Sequence, residues 1–377
     1  MPNFQTVFER RSEFEASAPG RVNLMGDHTD YNAGYVLPTV IPQRTRAELA
    51  LRADRTVRVW SEDVEDRQIE TYELGTEARQ GAWIDYVQGA THLLGQERHP
   101  LTGFDLALDS TVPLGAGLSS SASLLVAVFR VLREALGLTL ADADIARLAH
   151  RAETDFVGAP VGVMDQMVCA LGMTGRALFI DTASLRYEHI PLPAAAGWIV
   201  IHSGVNHSHA TGSYRQRREE CEEASRLLGV PHLRELEGEP RQRALARMES
   251  LPEPLGRRAR HVVTENDRVL AGVQCFEARD TEKFGQLMYA SHESLRRDYE
   301  VSTDEIDVLV DLARAEPDVY GARLTGGGFG GSVVVAARAD TASRIAPRIA
   351  RAYRQRCGRV PTVLLPKNVD TNVNATA

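Results

Sequence analysis

The segment Pro113-Leu114-Gly115-Ala116-Gly117-Leu118-Ser119-Ser120-Ser121-Ala122 joins two different hydrophobic periodicities. Before it, residues 104–112 alternate as in a β-strand, and after it residues 122–136 carry apolar side chains at helical spacing. A strand, a glycine turn and a serine-rich helix start expose unpaired backbone N–H groups at the positive end of a helix dipole. The segment therefore predicts a site for the phosphates of a nucleotide.

Lysine usage excludes the two most familiar kinds of ATP site. Only Lys283 and Lys367 are lysines among the 43 basic residues, and neither lies beside a glycine-rich loop. A P-loop needs a lysine on the β- and γ-phosphates, and a protein kinase needs one on a strand. No Gly-x-Gly-x-x-Gly fingerprint with an acidic residue about 20 positions on is present, which argues against a dinucleotide site.

Length and composition predict a two-domain α+β protein. At 377 residues the chain is long for a single core. Helical and strand-like patterns are mixed without strict alternation, and residues 191–197 separate two such groups, so we expect domains at 1–195 and 196–377. Residues 46–59 alternate and suggest strands paired with each other, ending near Trp60 and Ser61.

Charge, hydrophobicity and cysteine content indicate which binding partners and which cellular compartment to expect. The net charge of −8 argues against nucleic-acid binding. No apolar run approaches the roughly 20 residues of a membrane helix, so no membrane partner is expected. The four cysteines show no Cys-x-x-Cys spacing and are typical of free thiols in a reducing compartment. We therefore expect a cytoplasmic protein.

A second polar segment, Gly20 to Tyr31, contains the cluster Asp27-His28-Thr29-Asp30 after Arg21. Short side chains that donate and accept in fixed directions suit sugar hydroxyls. The alternative is a polar turn, since Asp and Asn are turn residues. A metal site is a third possibility, but one histidine between acids lacks metal-specific spacing.

A third segment, Thr325 to Gly331, holds five glycines. Its backbone can approach a ligand without Cβ clashes, or it can form a hairpin turn. Two acidic residues complete the candidates. Asp165 has apolar neighbours, which raise the pKa of a carboxyl group unless a cation pairs with it, although Asp165 also fits a helix N-cap. Glu153 lies twelve residues earlier, and alone it is typical of a solvated helix face.

Taken together, these segments resemble the motifs of the GHMP small-molecule kinase superfamily, in the family's order and over nearly the whole chain. The Asp-His-Thr-Asp-Tyr core of the first motif is similar to that of the galactokinase family within it. The resemblance implies an N-terminal domain with a five-stranded mixed sheet and a ferredoxin-like C-terminal domain, with the active site between them.

The resemblance also implies roles for individual residues. Asp165 would be the catalytic carboxylate, and Arg21 would keep it ionised and steady charge on the transferring phosphoryl group. Ser121 and Glu153 would bind Mg²⁺. The sugar would be held by Asp27, His28, Thr29, Asp30, Gly162 and Tyr214. ATP would be bound by Ser61, Trp83, Gly115, Ala116, Gly117, Leu118, Ser119, Ser120 and Ser121.

The activity implied is ATP-dependent phosphorylation of the C1 hydroxyl of D-galactose by a monomer. Alternatives are a kinase for N-acetylgalactosamine or for a broad range of sugars, and a non-catalytic sensor of galactose and ATP. The chain departs from the family at Asp27, where glutamate is usual, and at Ala159 and Val161, which replace cysteines. The shorter Asp27 side chain retracts its carboxylate by about 1.3–1.5 Å, which predicts looser discrimination at the sugar's C6.

Overall fold

The structure is a computed structural model that describes residues 3–64, 67–206 and 210–365. No helix in these ranges is both long and apolar enough to cross a membrane. The described residues form twelve strands, in chain order β1 Phe14–Asn23, β2 Tyr35–Val36, β3 Pro38–Leu51, β4 Thr56–Ser61, β5 Glu70–Glu73, β6 Phe104–Ser110, β7 Arg176–Asp181, β8 Arg186–Pro191, β9 Ala196–Asn206, β10 Val319–Thr325, β11 Gly330–Arg338 and β12 Thr362–Leu365.

Eleven α-helices lie in the described ranges: α1 Phe4–Phe8, α2 Asp85–Gln96, α3 Ser120–Ala135, α4 Asp142–Arg151, α5 Met164–Leu171, α6 Ala210–Leu228, α7 Arg241–Glu249, α8 Leu255–Ala278, α9 Thr281–Arg297, α10 Asp304–Arg314 and α11 Ala342–Cys357. Short 3₁₀ turns occur at Asp30–Asn32 and Leu233–Gly238, and a π-helical turn at Ala152–Val157. The strand and helix expected on either side of the serine-rich segment are confirmed as β6 and α3.

The chain groups into two compact units. The first contains the chain up to Arg21, Val40–Leu114 and Leu118–Gly172. The second contains Val22–Thr39, Gly115–Gly117 and the chain from Met173 onward. These packing units are not the ranges expected from sequence, and the domain boundary at residue 195 stays a prediction.

The first unit is built on strands β1 and β3 to β6 of a mixed sheet, as expected, but that sheet has eight strands rather than five, because β2, β7 and β8 also belong to it. Strand β6 pairs antiparallel with β3 and parallel with β4, while β5 is antiparallel to β4 and β1 pairs with β3. The expectation that residues 46–59 form strands paired with each other is wrong. Leu106 of β6 lies opposite both Leu49 of β3 and Val59 of β4, because β6 inserts between them.

Helix α3 is buried in the first unit along most of its length, which fixes the serine-rich segment at its start. Leu125, Val126 and Phe129 are fully inaccessible to solvent. Near the N-terminus, the hydroxyl of Ser123 donates to the carbonyl of Ala18 at 2.8 Å. Apolar burial and this bond together anchor the helix start to β1.

The second unit contains a ferredoxin-like sheet, as expected. Strands β9, β10, β11 and β12 lie in the spatial order β10-β11-β9-β12, and each neighbouring pair is antiparallel. With helices between β9 and β10 and between β11 and β12, this is the split β-α-β arrangement. The turn between β10 and β11 is the third glycine segment. Strand β7 pairs with β2 and β8 and, through Ala177, with Thr39 of β3.

Candidate active site

Arg21 and Asp165 form a two-point ion pair in the first unit. Arg21 Nε donates to Asp165 Oδ1 and Nη2 donates to Oδ2, each at 2.7 Å. Asp165 lies in the first turn of α5, whose N-cap is Val163, so the alternative that Asp165 caps this helix is wrong. Arg21 is buried, while 24% of the Asp165 side chain is exposed. Whether a cation pairs with Asp165 among its apolar neighbours was open from the sequence, and Arg21 is that cation.

Ser119 adds a third hydrogen bond to this carboxylate. Its hydroxyl donates to Asp165 Oδ2 at 2.6 Å. Ser119 is the N-cap residue of α3 and has φ +61°, an uncommon backbone conformation for a residue with a Cβ. A carboxylate offers about four lone-pair positions. Three are filled here, which leaves room for one further donor such as a substrate hydroxyl.

Glu153 lies in the π-helical turn and is 3% exposed. Burial raises the pKa of Glu153 to about 7, although hydrogen bonds from Ser121 and Gln166 oppose the shift. Gln166 Nε2 donates to Glu153 Oε2 at 2.6 Å. The carboxylate and the Ser121 hydroxyl supply the oxygen ligands that Mg²⁺ prefers, and a buried carboxylate with a raised pKa favours a cation beside it. Across the described ranges, no group of three or more His, Cys, Asp or Glu residues could hold a metal ion by itself.

Residues 115–117 of the glycine-serine segment belong to the second unit, and the segment from Leu118 onward belongs to the first. Gly115 and Gly117 have φ of +70° and +72°, where glycine is favoured. In the second unit, the carbonyl of Ala116 accepts a hydrogen bond from the Ser332 hydroxyl at 2.7 Å. In the first unit, the carbonyl of Leu118 accepts from the backbone N–H of Arg21 at 3.1 Å. Ser120 and Ser121 are the first two residues of α3.

The second and third glycine segments approach each other closely within the second unit. A Cβ added to Gly326 would lie 3.0 Å from the carbonyl oxygen of Gly117, which is tighter than ordinary contact. Gly326 itself has φ +87°. The positive φ favours glycine at both positions, and the close approach adds to this at Gly326, so the third segment is more than an isolated hairpin turn.

Asp27 is buried and ion-paired in the second unit. Arg323 Nη2 donates to Asp27 Oδ2 at 2.5 Å, and the backbone N–H of Gly326 donates to Oδ1 at 3.2 Å. Arg323 is fully buried, and Glu265 lies 3.7 Å from the same Nη2. The Asp27 carboxylate therefore connects the first polar segment to the third glycine segment.

The other residues of the Asp27 cluster have distinct surroundings. The ring of His28 packs against the ring of Tyr214 with centroids 5.2 Å apart, and its Nδ1 lies 2.8 Å from Tyr31 Oη. The Thr29 hydroxyl contacts the carbonyls of Gly26 and Tyr35 at 2.8 and 2.6 Å, so its proton is used by the backbone. Asp30 begins a 3₁₀ turn, and its Oδ1 accepts from the Tyr31 N–H at 3.0 Å.

Three further residues that the sequence predicted for the site lie in the first unit. Ser61 ends β4 and accepts a hydrogen bond from the Asp63 N–H at 3.3 Å. Trp83 is partly buried in the turn before α2. Gly162 is buried two residues before α5 begins.

Sequence reasoning missed several polar residues beneath these motifs. Arg323 lies in the otherwise largely apolar strand β10, and a fully buried arginine is rare unless it is paired. Its position two residues before the third glycine segment was the available signal. Glu265, which accepts hydrogen bonds from Arg268 and Ser291 at 2.6 Å each, and Tyr299 gave no comparable signal.

Family models match the chain in three places. Models of the GHMP kinase N-terminal and C-terminal domains match residues 85–173 and 273–355, so the fold and its glycine segments define a GHMP kinase. A galactokinase galactose-binding signature matches residues 2–51, which include Arg21 and the Asp27 cluster. Kinases of this class use ATP.

Curated galactokinases are similar to this chain over nearly its full length. The chain is 44% identical over 360 residues to galactokinase of Chloroflexus aurantiacus, covering 94% of this chain and 92% of that protein. It is 39% identical to galactokinase of Streptomyces coelicolor, with 96% and 94% covered. The chain belongs to the galactokinase family.

Solved structures give the same fold. Lactococcus lactis galactokinase complexed with galactose matches with a TM-score of 0.90 and 30% identity, covering 96% of this chain and 95% of that one. Mevalonate kinase of Methanococcus jannaschii matches with a TM-score of 0.66 at 17% identity, which shows a shared fold alone.

Proposed function

We propose that the protein is a galactokinase that transfers the γ-phosphoryl group of ATP to the C1 hydroxyl of α-D-galactose, yielding galactose 1-phosphate and ADP. The observation that carries the proposal is the two-point pairing of Arg21 with Asp165, whose carboxylate also accepts a hydrogen bond from Ser119 of the glycine-serine segment. The membership in the galactokinase family supports galactose as the sugar.

Asp165 is the catalytic residue, and its task is to orient the C1 hydroxyl. Three hydrogen bonds from Arg21 and Ser119 fix the orientation of the carboxylate. Phosphoryl transfer passes through a loose transition state in which the attacking oxygen carries little early charge. An oriented carboxylate suffices in that case, because the proton moves to Asp165 late in the transfer.

Arg21 and Ser119 both interact with the charged groups of the reaction. The guanidinium holds the carboxylate at a fixed angle and steadies the negative charge that builds on the transferring group. Because Arg21 is buried, its charge is less screened than at a surface. Ser119 is therefore placed with the catalytic carboxylate, in addition to belonging to the phosphate-binding segment.

The backbone of Gly115, Ala116, Gly117 and Leu118, with Ser119, Ser120 and Ser121, binds the ATP phosphates, and Ser61 and Trp83 contact the nucleotide. Ser121 and Glu153 would hold Mg²⁺, which when bound would neutralise charge on the phosphates. Asp27, His28, Thr29, Asp30, Gly162 and Tyr214 bind the sugar. The cytoplasmic location and the monomeric state stay predictions, the latter checked by sedimentation.

A substrate panel tests this function. ADP release is measured with galactose, N-acetylgalactosamine, 2-deoxygalactose, 6-deoxygalactose and glucose, and we expect the highest kcat/KM with galactose. A higher value with N-acetylgalactosamine, or similar values throughout, would favour the alternative kinases. Absence of turnover, together with galactose binding, would favour a sensor. Asp165→Ala should abolish turnover and leave galactose binding measurable by calorimetry.

A further inference from the structure

Residues 26–35, which we name the 26–35 loop, contain the whole Asp27 cluster and contact helix α8 within the second unit. His261 of α8 lies beside this loop, and its Nε2 is 3.1 Å from the carbonyl oxygen of Asp27. Because a carbonyl oxygen can only accept, Nε2 is the donor. On its other side, the buried ring contacts the hydroxyl of Ser294 on α9 through Nδ1 at 2.9 Å. The carbonyl of Asp27 is therefore held by a ring that lies between two helices.

Glu265 follows His261 by one helical turn and holds the backbone next to Asp27. The backbone N–H of Gly26 donates to Glu265 Oε1 at 3.0 Å. The same oxygen accepts from the Ser291 hydroxyl, and Oε2 accepts from Arg268 Nε, each at 2.6 Å. Glu265 is fully buried, so its carboxylate cannot turn away from the loop without leaving buried donors unpaired.

Asn266 holds the far end of the loop. Its Oδ1 accepts from the backbone N–H of Tyr35 at 3.0 Å. The absence of a side chain at Gly34 makes room for this contact, because a Cβ added there would lie 2.4 Å from Asn266 Oδ1. The two ends of the loop also meet, since a Cβ added to Gly26 would lie 2.5 Å from the carbonyl oxygen of Tyr35. The loop is thus closed on itself and bonded to α8 at both ends.

The three bonds from α8 all go to backbone atoms of the loop. They fix the backbone that carries the Asp27 cluster, and they use none of the side-chain groups of that cluster. A loop that is already ordered binds its ligand without first losing conformational freedom. The bonds should therefore act on the affinity for the sugar, and much less on the transfer step at Asp165.

We propose that His261, Glu265 and Asn266 are positioning residues that hold the 26–35 loop in its sugar-binding conformation before galactose binds. The inference rests on the proposed function only in assigning the Asp27 cluster to the sugar. Its consequence is that loss of one of these bonds weakens galactose binding and leaves ATP binding and the rate of transfer nearly unchanged.

Steady-state kinetics of the full-length protein, with galactose and ATP varied separately, test this consequence. His261→Ala removes the donor to Asp27, so KM for galactose should rise about tenfold, the loss of about one hydrogen bond, while kcat and KM for ATP change by less than about twofold. His261→Gln should restore most of the wild-type KM, because the amide nitrogen of glutamine can replace Nε2 as the donor. Equal rises of both KM values, or no difference between the two variants, would overturn the inference.

Val263→Ala is the matched control for loss of stability. Val263 is also buried on α8, but it belongs to the apolar core of the second unit. The variant should lower the melting temperature and leave KM for galactose unchanged. If KM for galactose rises as much in Val263→Ala as in His261→Ala, the effect is one of general destabilisation and the inference is wrong.

Hydrogen exchange of the backbone amides, followed by NMR, tests the loop directly and does not depend on whether His261→Ala folds. In the unliganded wild-type protein, the amides of Gly26 and Tyr35 should exchange slowly, because each donates to a buried side chain. Asn266→Ala should speed exchange at Tyr35 and leave Gly26 protected. Fast exchange at both amides until galactose is added would contradict the proposal. If the wild-type protein does not phosphorylate galactose, the proposed function fails, whereas exchange at these amides still decides whether α8 holds the loop.

Discussion

Arg21 and Asp165 lie 144 residues apart in sequence, yet the guanidinium of Arg21 donates to both oxygens of the Asp165 carboxylate at 2.7 Å. Arg21 lies in strand β1, and Asp165 lies in the first turn of helix α5. The pairing places a cation beside the carboxylate among its apolar neighbours and fixes the direction of its free lone pair. Both effects are required of a group that orients a hydroxyl for phosphoryl transfer.

Arg21→Lys should lower kcat about a hundredfold, because an ammonium group cannot pair with both carboxylate oxygens in a plane. The charge is retained, so folding should be little affected. Steady-state ADP release and a thermal melt measure the two effects. Arg147→Lys, an exposed position on α4 of the same unit, is the control. Equal kcat in Arg21→Lys and the wild-type protein would contradict the role given to this pair.

Ser119→Ala should lower kcat/KM by about 10- to 100-fold, the effect of losing one hydrogen bond to a charged group. Alanine keeps the Cβ, so the backbone at φ +61° is no more strained than before. Ser12→Ala, which removes a hydroxyl bonded to Glu48 in the same unit, should leave kcat/KM unchanged. If both variants behave alike, Ser119 does not support Asp165.

Asp27→Glu should change the ratio of activities on 6-deoxygalactose and galactose, lowering it towards stricter selection at C6. The added methylene moves the carboxylate by about 1.3–1.5 Å from its contacts with Arg323 and Gly326. Asp340→Glu in an exposed turn is the control for added length. An unchanged ratio would contradict looser discrimination at C6. Asp27→Ala should instead destabilise the protein by about 3–5 kcal/mol, because Arg323 is left buried with a weakened partner set.

Burial lowers the pKa of His261 to about 4, with Arg268 and Arg323 adding to the shift and Glu265 opposing it. Its contribution to stability is present above pH 6.5, the usual pKa, and is lost as the pH falls towards about 4, since the unfolded chain takes up the proton first. The loss approaches about 3 kcal/mol. Urea unfolding at pH 7 and pH 4.5 should show a smaller difference for His261→Gln than for the wild-type protein, whereas the exposed His232→Gln should match the wild-type protein.

Glu153→Gln should raise the Mg²⁺ concentration for half-maximal activity about tenfold or more, because an amide replaces a charged oxygen ligand. The stabilisation of the protein by Mg²⁺ with nucleotide, followed by a thermal melt, should weaken in parallel. Glu134→Gln on the exposed side of α3 is the control. An unchanged Mg²⁺ dependence in both measurements would remove Glu153 from the metal site.

Local patterns in the sequence were enough for much of the fold. The alternation before Pro113 and the helical spacing after Ala122 predicted β6 and α3, because one-sided burial imposes these periods. The pairing of β3 and β4 with each other was predicted wrongly. Strand partners depend on distant segments, and nothing within residues 46–59 indicates that β6 would insert between them.

The sequence by itself determined which chemical groups the site contains: the glycine and serine segment, the Asp27 cluster, and a carboxylate at 165 that needed a cation. Only the tertiary structure decided which side chains form hydrogen bonds with each other. In the tertiary structure Ser119 contacts Asp165, Arg323 contacts Asp27, and Tyr31 contacts His28. The sequence cannot specify these partners, because a hydrogen bond is lost when the distance changes by a few tenths of an ångström, and the residues that form it can be about 300 positions apart.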